Sequence, residues 1–220
     1  MSMLYDGTTD RANAGSPAVL DDLFASGATV MARISPFTAG TGSVGRILEK
    51  GTWIFFTNNS TATNAFTFEH ARATTVGRWR TPSSSITYSG WVHVAVTYDG
   101  SSTANDPLMY IDGVAQTTTE MSTPAGALSS DAANSFWIGN KSGGGNNLDG
   151  IIADARAYNC ILSAIEILTI FACQGKDGIC SGLQGRWTLK DASFGATCAA
   201  PQPVDTSANK SAGAVGGTPT

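Results

Sequence analysis

Residues 91–98 read WVHVAVTY and residues 108–115 read LMYIDGVA. In the first run Val92, Val94 and Val96 share one face of an extended chain, and Trp91, His93, Ala95 and Thr97 share the other. Both faces are largely apolar, which predicts a strand in the middle of a sheet. In the second run Asp112-Gly113 separates two β-rich segments, and a two-residue hairpin turn needs the positive φ that this pair adopts readily. Working outward, short apolar segments alternate with stretches rich in Thr, Ser, Gly and Ala, at the spacing of a sandwich or barrel. The pattern predicts strands over 28–34, 45–50, 52–57, 65–69, 76–80, 91–98, 108–112, 114–118, 135–139, 150–158 and 183–189. One short helix is predicted, where Ser163 and Glu166 form an S-x-x-E capping box ahead of Ile165, Leu168 and Phe171 at helical spacing.

Composition narrows the function classes. The chain has 220 residues, 42% hydrophobic and only 14% charged, so it can bury a core. A formal net charge of -4 lacks the basic footprint of a nucleic-acid binder. No apolar run approaches the ~20 residues needed to cross a bilayer, so no membrane insertion is expected. The opening MSMLYDGTTDR does not show the basic-then-apolar pattern of a secretory signal.

The central strand and hairpin also resemble a known family. WVHVA (91–95), YDG (98–100) and YIDG (110–113) match the pattern of the laminin-G-like branch of the concanavalin A-like jelly rolls. LYDG (4–7), GRILEKG (45–51), FWIGN (136–140) and GIIADARAYNCILSAIE (150–166) follow in the family's order, so the resemblance covers about residues 3–172. It implies an all-β, two-sheet antiparallel jelly-roll sandwich, one sheet concave and one convex, with one short helix near the C-terminus. On this reading residues 1–182 form the sandwich. Residues 183–220 form a C-terminal strand and tail that docks on the same sandwich or on a neighbouring subunit. The fold alone does not fix an activity, because it carries lectins, adhesion modules, glycosidases and inert structural domains.

The candidate sites divide by chemistry. Retaining glycoside hydrolysis needs two carboxyls about 5–5.5 Å apart, which glucanases of this fold supply from one strand. Glu49, Glu69, Glu120 and Glu166 are far apart in sequence, Glu166 is explained by capping, and His70 and His93 lack neighbours of catalytic type, so no catalytic residue is assigned. The resemblance implies a structural Ca²⁺ site at Asp154, with Asp6 and Asp10 as helpers; the alternative pairs Asp154 with Arg156 or a backbone amide. A sugar site needs an aromatic platform beside amides and carboxylates, and the loop KSGGGNNLD (141–149) offers Asn146, Asn147 and Asp149. Trp53, Trp79 and Trp137 are the candidate platforms, each expected to be buried, and Trp91 and Trp137 match core positions of the family. The cysteines allow Cys173–Cys180 and Cys160–Cys198 as disulfides, or reduced thiols throughout. The sequons at Asn58, Asn59, Asn140 and Asn209 are expected to arise by chance.

Three functions follow, in order of expectation. The first is a non-catalytic structural or decorating subunit of a phage or virus particle, made in the host cytoplasm and partnered by its own copies or other virion proteins. The second is an extracellular carbohydrate-binding adhesin or lectin module for cell-surface glycans. The third is a glycoside hydrolase with an unrecognised site.

Overall fold

The computed structural model describes residues 2–60, 63–141, 143–174 and 176–189. The first seven strands are β1 (Met3–Asp6), β2 (Ala12–Asn13), β3 (Ala28–Pro36), β4 (Val44–Lys50), β5 (Trp53–Asn58), β6 (Ala65–His70) and β7 (Gly77–Arg80). The rest are β8 (Val92–Tyr98), β9 (Leu108–Ile111), β10 (Val114–Gln116), β11 (Thr119–Ser122), β12 (Trp137–Ile138), β13 (Asp149–Tyr158) and β14 (Leu183–Trp187). They make two seven-stranded antiparallel sheets. The first runs β1-β13-β3-β8-β9-β10, with β14 also on β13, and the second runs β11-β7-β6-β5-β4-β12-β2. This is the two-sheet antiparallel sandwich that the sequence implies.

The predicted central strand is β8, lying between β3 and β9. Its valines point into the sandwich and its His93–Ala95 face points away. The β9–β10 hairpin turns on Asp112 and Gly113, at φ 49° and 79°, and Gly113 also packs under Leu168. Between the sheets, Phe24 gathers Trp53, Phe68 and Tyr98 at centroid distances of 5.2, 5.1 and 6.1 Å. Each such ring removed from water contributes roughly 1.5–3 kcal/mol.

Among the described residues the single α-helix, α1 (Ala164–Cys173), starts at the predicted capping box, with Ser163 and Glu166 bonded reciprocally. Its buried face differs from expectation. Ile167 and Ile170 are buried against Met31, Ala95, Tyr110 and Tyr158 on the outer face of the first sheet, whereas Ile165 is 67% exposed. Nearly every residue of AIEILTIFAC is apolar, so spacing alone selects no stripe, and the sheet beneath decides. β14 docks on β13 of the same chain. The remainder of the predicted C-terminal segment, 190–220, lies outside the described residues, and with it Cys198 and Asn209.

Candidate functional site

A single inserted residue in β13 builds the site. Ala153 pairs with Arg33 of β3, but the next pair is Arg156 with Met31, and Asp154 absorbs the insertion at φ 48°. Because side chains alternate, such a bulge exchanges the faces of everything beyond it. Ile152 faces the core before the bulge, and Ala155 and Ala157 face it afterwards. Arg156 and Tyr158 are thereby turned to the outer face, under α1.

There Arg156, 1% exposed, grips Asp177 with two bonds of 2.9 and 2.8 Å. It also donates to Asp154 at 2.6 Å and to the Tyr158 hydroxyl at 3.2 Å. Arg186 of β14 donates to the other oxygen of Asp154 at 2.5 Å. Burial works to lower the Arg156 guanidinium, but its bonds to Asp177 and Asp154 prevail and raise it above its ordinary value. This network locks the bulge, β14 and the loop after α1 into one arrangement.

Beside it the outer face opens into a cleft of about 560 Å³, whose lining includes Arg33, Trp91, His93, Asp112, Phe171 and Arg186. Trp91 is 43% exposed, and the Arg33 guanidinium lies 4.6 Å from the centre of its ring. This corrects the core placement that the resemblance implies for Trp91. The residue precedes β8 on the His93 side, which is the outward side. His93 is only 6% exposed, yet neither ring nitrogen has a hydrogen-bond partner. Its backbone N–H donates to Asp112 Oδ1 at 2.8 Å, which fixes the strand end but not the ring. Desolvation first, then the charge of Arg156, pushes the imidazole down to about 4, so at neutral pH it offers one donor and one acceptor. Sequence reasoning missed Arg33, Trp91 and Arg186 as a group. Only the alternation of 91–98, which puts Trp91 and His93 on one face, signals any part of it.

The loop expected to hold a sugar is instead a clamp. Asn147 is buried, and its side-chain amide donates to the carbonyls of Gly7 and Thr8. Asp149 accepts from the Thr38 hydroxyl at 2.8 Å. Asn146 lines a separate hollow of about 310 Å³ on the outer face of the second sheet, beside Arg46, Glu69 and Arg78. The three residues therefore do not converge on one ligand. Trp53 and Trp79 are buried as expected, while Trp137 is half-buried under Arg11, 5.5 Å away.

The second sheet also brings Glu49 and Glu69 to one face, on either side of Ile54. Arg46 engages Glu49, Arg78 engages Glu69 at 2.6 Å, and the hollow is lined by Glu69 without Glu49. No carboxyl pair opens into a shared cleft there.

The carboxylates implied for calcium do not fit the ion. Asp154 spends both oxygens on Arg156 and Arg186, which is the alternative that its sequence context offers. Asp6 is paired in register with Asp149, five positions along β13 from Asp154, or about 16 Å at strand rise. Partial burial would raise the Asp6 carboxyl, but donors from Thr8, Thr9 and Asp10 outweigh it and hold it below its ordinary range. Asp10 accepts from the Asp6 backbone N–H at 3.0 Å. Among the described residues no group of three or more His, Cys, Asp or Glu could hold a metal ion. Cys173 and Cys180 are free thiols, so the 173–180 pairing is not formed, and the 160–198 pairing lies outside the described residues. Asn140, in one of the sequons, is fully buried.

Comparison with known proteins places this geometry. A family model described as the concanavalin A-like lectin/glucanases superfamily, of laminin-G type, matches residues 6–168. No curated protein matches the sequence. Among solved structures, the CBM40 domain of the Ruminococcus gnavus IT-sialidase has a TM-score of 0.57 at 13% identity, over 78% of this chain and 95% of that one. The same domain bound to α2,3-sialyllactose has a TM-score of 0.52 at 12% identity, over 78% and 98%. The binding domain of botulinum neurotoxin serotype D has a TM-score of 0.52 at 13% identity over 76% of this chain, which spans 43% of that structure's length. Likeness at these identities shows the fold. With the family model spanning well over half its length, the chain belongs to the laminin-G-type family of the concanavalin A-like lectin/glucanases superfamily.

Proposed function

We propose that the chain is a non-catalytic carbohydrate-binding module that takes its glycan in the cleft beside α1. One observation carries this reading: an exposed Trp91, with the Arg33 guanidinium over its ring, stands in a cleft of about 560 Å³ on the outer face of the first sheet. Sugars present C–H faces to an indole and hydroxyls to donor and acceptor groups, and a cleft of this kind offers both. The structural neighbours support the same reading, since one is a carbohydrate-binding domain of a sialidase in complex with an oligosaccharide. They favour it over the virion subunit, the first of the three expectations.

A glycan array with the purified chain, followed by calorimetric titration of the best oligosaccharide, tests the proposal. Trp91→Ala is expected to weaken binding at least about tenfold, or ~1.4 kcal/mol. Trp137→Ala, on the second sheet, is expected to leave affinity as it is. Full affinity in Trp91→Ala would remove the site, and release of new reducing ends would remove the non-catalytic assignment.

A further inference from the structure

The charges around the cleft distinguish it from a neutral sugar site. Asp154 and Asp177 are consumed by Arg156 and Arg186, so these four cancel. Asp112 lies at the hairpin turn and accepts from the backbone of His93. Arg33, Lys176 and the Asp112 carboxylate remain, a surplus of one positive charge, and neither cation has a carboxylate within 4 Å among the described residues. The cleft is thus cationic in a chain whose formal net charge is -4.

The cation is also placed for use. The Arg33 guanidinium lies over the Trp91 ring, 4.6 Å from its centre, with no carboxylate paired to its N–H groups, the groups that bind a carboxylate bidentately. Arg33 and His93 are paired in register on adjacent strands, so the guanidinium and the imidazole are neighbours on one face. The ring of His93 is buried there, with both nitrogens unpartnered. The C-terminal end of α1 adds Phe171 and Gln174 to the lining, and Lys176, whose backbone N–H bonds the Cys173 carbonyl, offsets the partial negative charge of that end.

Resting on the glycan-binding reading, we propose that the cleft selects sugars bearing a carboxylate. The acid group sits on Arg33 and the sugar packs along Trp91. The site lies on the first sheet, away from the Asn146 loop and from the paired charges of the second.

The test titrates the full chain with α2,3-sialyllactose, a glucuronic-acid-terminated disaccharide, sulfated lactose and plain lactose, each at low and high salt. At least one carboxylated sugar is expected to bind about tenfold or more tighter than lactose, with the margin shrinking in high salt. Arg33→Gln should collapse that ratio to within about twofold, and Arg33→Lys, which keeps charge but not the fork, should fall between. Thermal melts of both variants establish that they are folded. Equal affinity for acidic and neutral sugars, or a preference for the sulfated sugar alone, would overturn the selectivity and leave the glycan reading standing. Binding of neutral sugars that is abolished by Trp91→Ala, with no acid preference, would likewise overturn the selectivity alone. No binding of any sugar on a broad array would sink both.

Discussion

The two outer faces of the sandwich treat charge in opposite ways. On the second sheet Arg46 meets Glu49 and Arg78 meets Glu69, so the guanidiniums are answered locally and the hollow between them is shallow in chemistry. On the first sheet a bulge and a helix bury the Arg156–Asp177 pair, and beside it Arg33 has no carboxylate partner in an open cleft, over a buried His93 whose ring nitrogens are unpartnered. Both faces contain arginines and carboxylates, so composition does not separate them. What separates them is whether each polar group already has a partner, because an unpartnered buried group is costly unless something external completes it.

The contrast is sharpest at Arg156 and Arg78. Arg156→Met leaves Asp177 and Asp154 underpaired in a buried setting, so a loss of about 3–5 kcal/mol is expected by urea denaturation. Arg78, whose side chain is 51% exposed, should cost under about 1 kcal/mol on the same change. Equal losses would mean that the buried network contributes no more than a surface pair. Next in size, Ile170→Ala under α1 should cost about 2–4 kcal/mol. Ile54→Ala, half-buried on the uncovered face of the second sheet, should cost about 1 kcal/mol.

Two buried histidines make stability sensitive to acid. His93 behind the cleft and His70 inside the sandwich are both pushed down to about 4 from an ordinary 6.5, in each case first by desolvation. The unfolded chain therefore takes up protons that the folded chain refuses. Stability is full above about pH 6.5 and declines as pH falls toward 4. His93→Gln should remove about half of that decline in melts run across this window, with His70 supplying the rest. A decline identical to wild type would show that His93 is not desolvated as described. The smallest effect expected is for calcium. Asp154→Ala should lower Tm equally with added Ca²⁺ and with chelator, because its oxygens serve arginines. A loss seen only with Ca²⁺ would restore the metal site.

Much of the fold was legible and much of the site was not. The period-two runs located β3 to β10 and β13 to within a few residues, because burial on alternate positions writes itself into the sequence. The strands missed, β2 and β11, are two and four residues long and mostly polar. Ser163 and Glu166 gave away the start of α1, since a cap depends on neighbours in sequence. Its buried stripe depends on Tyr110 and Tyr158, which are held by the sheet rather than by the helix. The cleft follows the same rule. Nothing local announces that Asp154 absorbs an insertion, and without it Arg156 would point into the core. Asn147 and Asp149 looked available as loop residues, yet their partners, Gly7, Thr8 and Thr38, lie more than a hundred positions upstream.

One rim of the first sheet is assembled from two distant pieces. β1 lines positions 149–152 of β13 and β14 lines 155–158, with the bulge in the gap between them. Trp187 of β14 also reaches inward, stacking 4.7 Å from Phe136 across the sandwich. Detaching β14 would therefore bare a row of ladder groups and an aromatic socket together, a vacancy that the same strand from another copy would fill equally well. Closure of this rim rests on how tightly β14 holds its own seam.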